Sequence, residues 1–356
     1  MVVCRDTSCR AADNAKQVAD RVRSQAWSFP VSAALAGNPT VGLGRFIKES
    51  RFIVPSHQRD YSWTNDYVRE FIQDIEDAIS GKRDYFCGLM VFTSTQPGKF
   101  KVLDGQQRLA TTLMLLSAIR NWLAGFSDYK DTASSLDAYL FNKEAWSNQR
   151  EPTLILTASN NSAFQKYVVA SMPLAAMERS IREKEVDDRS ETLVRAAIFV
   201  NRHILNKASD LSNPEAAKNY FLSIVEYLSD HVQIVRFALS TDSAAYTIFE
   251  TLNDRGLELA PLDLVKNYLF SQAEKHRNGG LAEVEERWTS MMVLLSTSRA
   301  DSFLRAFWSP RHGKPEGTKL FTAFKKRTQA QRPCMRSRLT CAAMLSATPL
   351  YFLQAM

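Results

Sequence analysis

The stretch Phe100-Lys101-Val102-Leu103-Asp104-Gly105-Gln106-Gln107-Arg108-Leu109 runs from a short apolar strand, through a polar pentad, into a long apolar helix. Phe100 to Leu103 is strand-like, and Leu109 to Leu123 is apolar and free of Gly and Pro. Leu113, Leu116, Ile119 and Leu123 share one helix face, while Met114, Leu115, Ala118 and Trp122 cover much of the rest. Such a helix is expected to be buried on most sides. A Gly in a tight strand-to-helix turn, here Gly105, lets the backbone approach a ligand. The first amides of a helix have no intrahelical partner and favour anions. Gln106, Gln107 and Arg108 are therefore expected where an anionic group is best held. Arg108 adds a planar fork of donors suited to phosphate or carboxylate. The simpler alternative makes Asp104 the N-cap of an ordinary turn. Burial of the helix favours a site, because a charged, amide-rich cluster at its mouth needs partners.

Working outward, Tyr85 to Thr93 reads as a strand and Gln96-Pro97-Gly98-Lys99 as a turn into the return strand. Thr64 caps a helix bearing Val68, Phe71, Ile72, Ile75 and Ile79 on one face, and Gly81 ends it. Arg51 to Val54 is strand-like and stops at Pro55, and Val41 to Ile47 reads as a short helix or turn. Residues 41–124 thus read as a small α/β domain, preceded by a weakly patterned lead-in over 1–40. From 125 to 324 the chain reads as mainly helical, with helices over Thr132–Leu140, Ser162–Val169, Asp188–Lys207 and Pro214–Leu228 and one strand over Val232–Phe237. Residues 325–356 form a basic tail whose clustered Cys, Met and Arg suit a truncated or frame-shifted end.

The net charge is +7, yet the segment from Gly317 holds seven basic residues and no acidic one. The rest of the chain balances 38 basic against 38 acidic groups, so it carries no general polyanion signature. The five Cys are odd in number and form no Cys-x-x-Cys pair, which argues against a disulfide framework and a zinc knuckle. A reducing, cytoplasmic compartment is expected, with no secretory signal and no membrane span. Cys87 lies in an apolar strand and reads as core.

Two further segments carry polar clusters. Gln58-Arg59-Asp60-Tyr61-Ser62-Trp63 reads either as an aromatic anchor for the next helix, or as Arg59 facing a phosphate with Tyr61 lining a base or sugar pocket. Phe249 to Gly256 reads as a helix end with a Gly256 cap, and Pro261 opens the next helix. Asn253, Arg255, Asp263 and Lys266 cluster around that turn, with an ion pair as the alternative for the last two.

Together, Val54 to Trp63, Asp104 to Leu109 with Thr111-Thr112-Leu113, and Phe249 to Gly256 with Leu262 to Asn267 resemble the N-terminal domain family of GmrSD-type (type IV) restriction endonucleases, a ParB/sulfiredoxin-like group. The likeness spans roughly residues 41–324. It implies a nucleoside-triphosphate-binding and -hydrolysing module of a phage-defence system, acting on modified foreign DNA with a nuclease module. It implies that Asp104, Gln107 and Arg108 serve hydrolysis, and that Gln58, Arg59, Tyr61, Gly105, Gln106, Asn253, Arg255, Asp263 and Lys266 serve nucleotide binding. His57 and Ala110 depart from the usual aromatic and Thr. None of the five His sits in a metal-ligand pattern, so nuclease activity of this chain alone is not expected.

On this reading Arg108 and Arg59 neutralise phosphate oxygens, Asp104 holds Mg2+, Gln107 orients the attacking water, and Lys266 or Arg255 closes the site. No Gly-x-x-x-x-Gly-Lys-Ser/Thr loop exists, which excludes a P-loop enzyme. The alternatives are a nucleotide- or DNA-sensing module without catalysis, an autonomous nuclease using Asp104 and Glu250, and a truncated relic.

Overall fold

The computed structural model describes residues 40–56, 58–143 and 150–239, with isolated helical positions between 265 and 309. The chain divides after Ser240 into two compact units. In the first, the strands are β1 Thr40–Gly42, β2 Arg51–Ile53, β3 Tyr85–Gln96, β4 Lys99–Asp104, β5 Phe141–Lys143, β6 Arg150–Pro152, β7 Leu154–Ile155 and β8 Val232–Leu239. The helices used below are α1 Leu43–Lys48, α2 Asn65–Ser80, α3 Gln106–Ala124, α4 Lys130–Ser135, α5 Asp137–Leu140, α6 Ala158–Phe164, α7 Leu174–Arg182, α8 Glu191–Asp210 and α9 Pro214–Asp230.

Six strands form one mixed sheet in the order β1-β8-β3-β4-β2-β7, while β5 and β6 pair separately. The β3–β4 hairpin is antiparallel and turns at Pro97-Gly98, as its sequence predicts. β3 also pairs in parallel with β8, and β2 pairs in parallel with both β4 and β7.

This topology revises the expected division at residue 124. The α/β unit is completed by β7 and β8, which come from the segment expected to be a helical domain. The reason lies in β3. The hairpin alone satisfies one edge of that strand, and the other edge needs a partner. β8 supplies it from Val232 to Leu239. The result is a mixed α/β unit around a six-stranded sheet.

Phe46 of α1, Phe52 of β2, Phe92 of β3 and Phe100 of β4 form one aromatic cluster with centroids 5.1–6.1 Å apart. Each such pair adds about 0.5–1.5 kcal/mol beyond the area it buries. α3 is buried on nearly every side, as its pattern predicts. α2 buries Val68, Phe71, Ile72 and Ile75, the stripe that its 3.6-residue period lays inward. Asn213 caps α9 by accepting from the Ala216 amide at 2.8 Å, with Pro214 in the first turn. Arg120, buried in α3, donates to Asp137 at 3.1 Å and to the Val169 carbonyl at 2.9 Å.

In the second unit, Val265, Phe270, Trp288 and Phe303 are buried, and the Phe270 and Trp288 rings meet edge to face at 6.1 Å. Asn253, Arg255, Asp263 and Lys266, the expected binding residues of the third segment, lie outside the described residues. So do His57, residues 1–39 of the lead-in and the basic tail. Among the described residues no helix is long and apolar enough to cross a membrane.

Candidate functional site

The pentad forms where β4 passes directly into α3. Asp104 is the last residue of β4, and Gly105 takes the N-cap position with φ 98°. A side chain there would be strained by the backbone and would meet Met90 Cγ at 2.7 Å. Asp104 is therefore not the cap, and no side chain caps α3. The amides of its first turn point outward from a helix end that favours negative charge.

The expected site residues divide into two groups. Gln106 and Gln107 face the Gln58–Trp63 loop. Gln106 Nε2 donates to the Arg59 carbonyl at 3.0 Å, and Gln107 Nε2 donates to the Asp60 carbonyl at 3.2 Å. Gln107 Oε1 accepts from the Ser62 amide at 2.9 Å and the Trp63 amide at 3.4 Å. Gln107 is almost fully buried, at 5% exposed. Both glutamines thus hold the first polar segment against the pentad, 45 and 47 residues away in the chain.

Asp104 and Arg108 face the other way, onto β3. Arg108 Nη1 donates to the Cys87 carbonyl at 2.8 Å. Its Nη2 donates to the Leu89 carbonyl at 2.8 Å and to Asp104 Oδ2 at 2.9 Å. The cluster's demand for partners, which favours an external ligand on sequence grounds, is largely met by the protein's own backbone. Gly88, with φ 102°, lies between the two carbonyls at a register shift of β3 against β8.

A small cleft opens at the α3 N-terminus, lined by Arg59, Tyr61, Gln106, Gln107, Leu156, Thr157 and Asn160. Neither Asp104 nor Arg108 lines it. Its enclosed space holds about a single water, far short of a typical small-molecule site of roughly 300–1,000 Å3. The Arg59 guanidinium has no hydrogen bond or ion pair among the described residues. Tyr61 is an anchor: its hydroxyl meets Thr111 Oγ1 at 2.8 Å in the core, and burial pushes its pKa well up. Gln58 is partly buried at the start of the same loop, its amide donating to the Pro55 carbonyl at 3.0 Å.

Asp60 secures the far wall. Its carboxylate accepts from Thr157 Oγ1 at 2.8 Å, from Ser159 Oγ, and from Arg189 Nε at 2.8 Å and Nη2 at 2.7 Å. Asn160 Oδ1 accepts from the Tyr61 amide at 2.6 Å. Thr157 and Asn160 are lining residues that the sequence reading did not select. Their signal was the Thr-Ala-Ser-Asn run that opens α6.

Asp104 is the candidate magnesium holder, and its Oδ2 is taken by Arg108. One carboxylate oxygen remains. Magnesium keeps several waters and is commonly held by one or two carboxylates with substrate phosphates. The remaining Asp104 oxygen belongs to a side chain turned toward β3 and away from the cleft, so the residues as placed do not fit a magnesium ion shared with a phosphate at Arg59. Among the described residues no three His, Cys, Asp or Glu gather as a metal cage. Cys87 is buried in the core, and burial pushes its thiol up to about 11 despite the neighbouring Arg108 charge.

No curated protein matches the chain. A family model, described as GmrSD restriction endonuclease, N-terminal domain, matches residues 43–270, which take in every strand of the sheet but β1, the pentad and the cleft, and the chain belongs to that family.

Proposed function

We propose that this chain is the nucleoside-triphosphate-binding and -hydrolysing module of a restriction system for phage defence, working on DNA with a nuclease module. On this proposal the strand–turn–helix of β4, Gly105 and α3 is a ParB/sulfiredoxin-like phosphate cradle. The observation that carries it is the juxtaposition of an uncapped helix N-terminus with an Arg59 guanidinium that has no partner among the described residues. Phosphoryl transfer to water needs positioning and charge neutralisation more than covalent chemistry. Arg59 would take phosphate oxygens, and the first amides of α3 would add donors. Gln106 and Gln107 would position Arg59 by holding its loop. Arg108 would act at one remove, by fixing Asp104 and β3. Magnesium brought in with the nucleotide would supply further neutralisation of phosphate charge.

One observation favours a second reading, nucleotide sensing without catalysis. Both ends of the Gln107 carboxamide are engaged by the loop, so Gln107 is poorly placed to orient water.

The test is phosphate release from a panel of ribonucleoside triphosphates with magnesium, comparing wild type with Arg59→Ala. Loss of one phosphate-stabilising donor typically costs about 100-fold or more in rate. The proposal expects that loss with an unchanged melting temperature. Nucleotide affinity without phosphate release would favour the sensor. Neither affinity nor release from folded protein would overturn both readings.

A further inference from the structure

Arg59, the cation at the cleft, is followed directly in the chain by a carboxylate, Asp60. Successive Cα atoms lie about 3.8 Å apart, so an unrestrained Asp60 would compete for the Arg59 guanidinium and oppose an anion brought to it. Instead both carboxylate oxygens are occupied by groups from a distant part of the chain. Oδ1 accepts from Thr157 Oγ1 at 2.8 Å and from Ser159 Oγ. Oδ2 accepts from Arg189 Nε at 2.8 Å and from Arg189 Nη2 at 2.7 Å. An ionised carboxylate has room for about four such bonds, so Asp60 keeps none for Arg59.

Arg189 is held at its backbone as well. Its carbonyl accepts from Asn160 Nδ2 at 3.0 Å, and Asn160 Oδ1 accepts from the Tyr61 amide at 2.6 Å. Asp187 Oδ1 accepts from the Arg189 and Ser190 amides at 3.1 and 3.0 Å, which shapes the turn that presents Arg189. Two helix starts give up their own capping to this arrangement. Thr157 and Ser190 stand at the N-cap positions of α6 and α8, yet neither side chain caps its helix. Thr157 turns its hydroxyl to Asp60, and Ser190 Oγ donates to the Ser159 carbonyl at 3.0 Å. A hydroxyl at that position ordinarily serves its own helix. Local preferences are set aside in this way where a site has to be held.

We propose that Arg189 is a positioning residue for the cleft: it keeps the Asp60 carboxylate off Arg59 and so leaves that guanidinium free for an anion. The consequence for nucleotide rests on the phosphate-binding role proposed above for Arg59, whereas the competition of Arg189 and Arg59 for Asp60 does not. Arg189 is half exposed, and exposed ion pairs contribute little stability, so its effect belongs to the site rather than to the fold.

Two measurements on the full chain test this. The first is the rate at which an arginine-selective dicarbonyl reagent modifies Arg59, followed by peptide mass mapping. Arg189→Ala should slow that rate several-fold, and Arg189→Ala combined with Asp60→Asn should restore it. The second is phosphate release from a ribonucleoside triphosphate, or equilibrium binding where no phosphate is released. In Arg189→Ala the KM or Kd should rise about tenfold with kcat retained, because a competent fraction of about one tenth weakens apparent affinity in proportion. Arg189→Lys, which keeps the charge without the fork, should fall between. The double variant should recover affinity, a rescue that loss of a merely structural contact would not give. Thermal melts establish that the variants fold. An unchanged Arg59 rate in folded Arg189→Ala and Arg189→Lys, or a double variant no better than the single one, would each overturn the proposal. If wild type neither binds nor hydrolyses nucleotide while the modification pattern holds, Arg189 keeps its role and the nucleotide reading of Arg59 falls.

Discussion

A Cβ placed on Gly88 would lie 2.6 Å from Arg108 Nη1, so the guanidinium occupies the space that any other residue at position 88 would fill. The positive φ of Gly88 and the two carbonyls beside it form a socket for Arg108. Gly88→Ala should cost about 2–4 kcal/mol, from backbone strain and displacement of the guanidinium. Arg108→Ala should cost a similar amount, because two carbonyls and a carboxylate lose their donor. The double variant should cost less than the sum, since both break one interaction. Denaturant unfolding measures all three. Additive losses would separate the two residues.

Gln107→Ala should destabilise by about 2–3 kcal/mol and loosen the Gln58–Trp63 loop. It leaves the Ser62 amide and the Asp60 carbonyl without their partner. Amide hydrogen exchange should rise at residues 60–63 before it rises in α3. Uniform protection across both segments would show that the loop is held by other contacts.

Glu76 makes stability depend on acid. Burial alone would raise its carboxyl, but hydrogen bonds from His203 and Tyr220, with the charges of His203 and Lys207, hold it down at about 2. A carboxyl depressed on folding contributes stability that is fully present above its ordinary value of 4.5 and is lost as pH falls toward about 2. The contribution is on the order of 2–3 kcal/mol. Wild type should therefore lose its advantage over Glu76→Gln between pH 5 and 2, roughly the window set by those two values. A difference that stays constant on acidification would contradict this.

Cys87 should resist thiol reagents in the folded protein. With its thiol pushed up to about 11, roughly a thousandth is thiolate at pH 8, and the residue is buried. Peptide mapping after brief alkylation should find position 87 unmodified until denaturant is added. Rapid native labelling there would mean that β3 opens.

The sequence by itself determined the longer elements, but not α7 or the short strands β1, β5, β6 and β7. The turn at Pro97-Gly98, the stripe on α2, the Pro214 start of α9 and the apolar α3 all follow from short-range patterns of residue type. It also brought the pentad and the first polar segment to notice, because amides and charges at the mouth of a buried helix must be satisfied somewhere. What satisfies them was decided only by the tertiary structure. The partners of Arg108 are carbonyls of β3, and those of Gln106 and Gln107 are backbone groups some 45 residues away; every residue carries such groups, so no pattern marks them. Sheet order was hidden for a related reason. β8 joins β3 across more than a hundred residues, and the choice rests on edge pairing and packing, which sequence periodicity does not encode. The separation of the Arg59 guanidinium, which no described residue engages, from that of Arg108, which β3 and Asp104 engage, likewise exists only once the chain has folded.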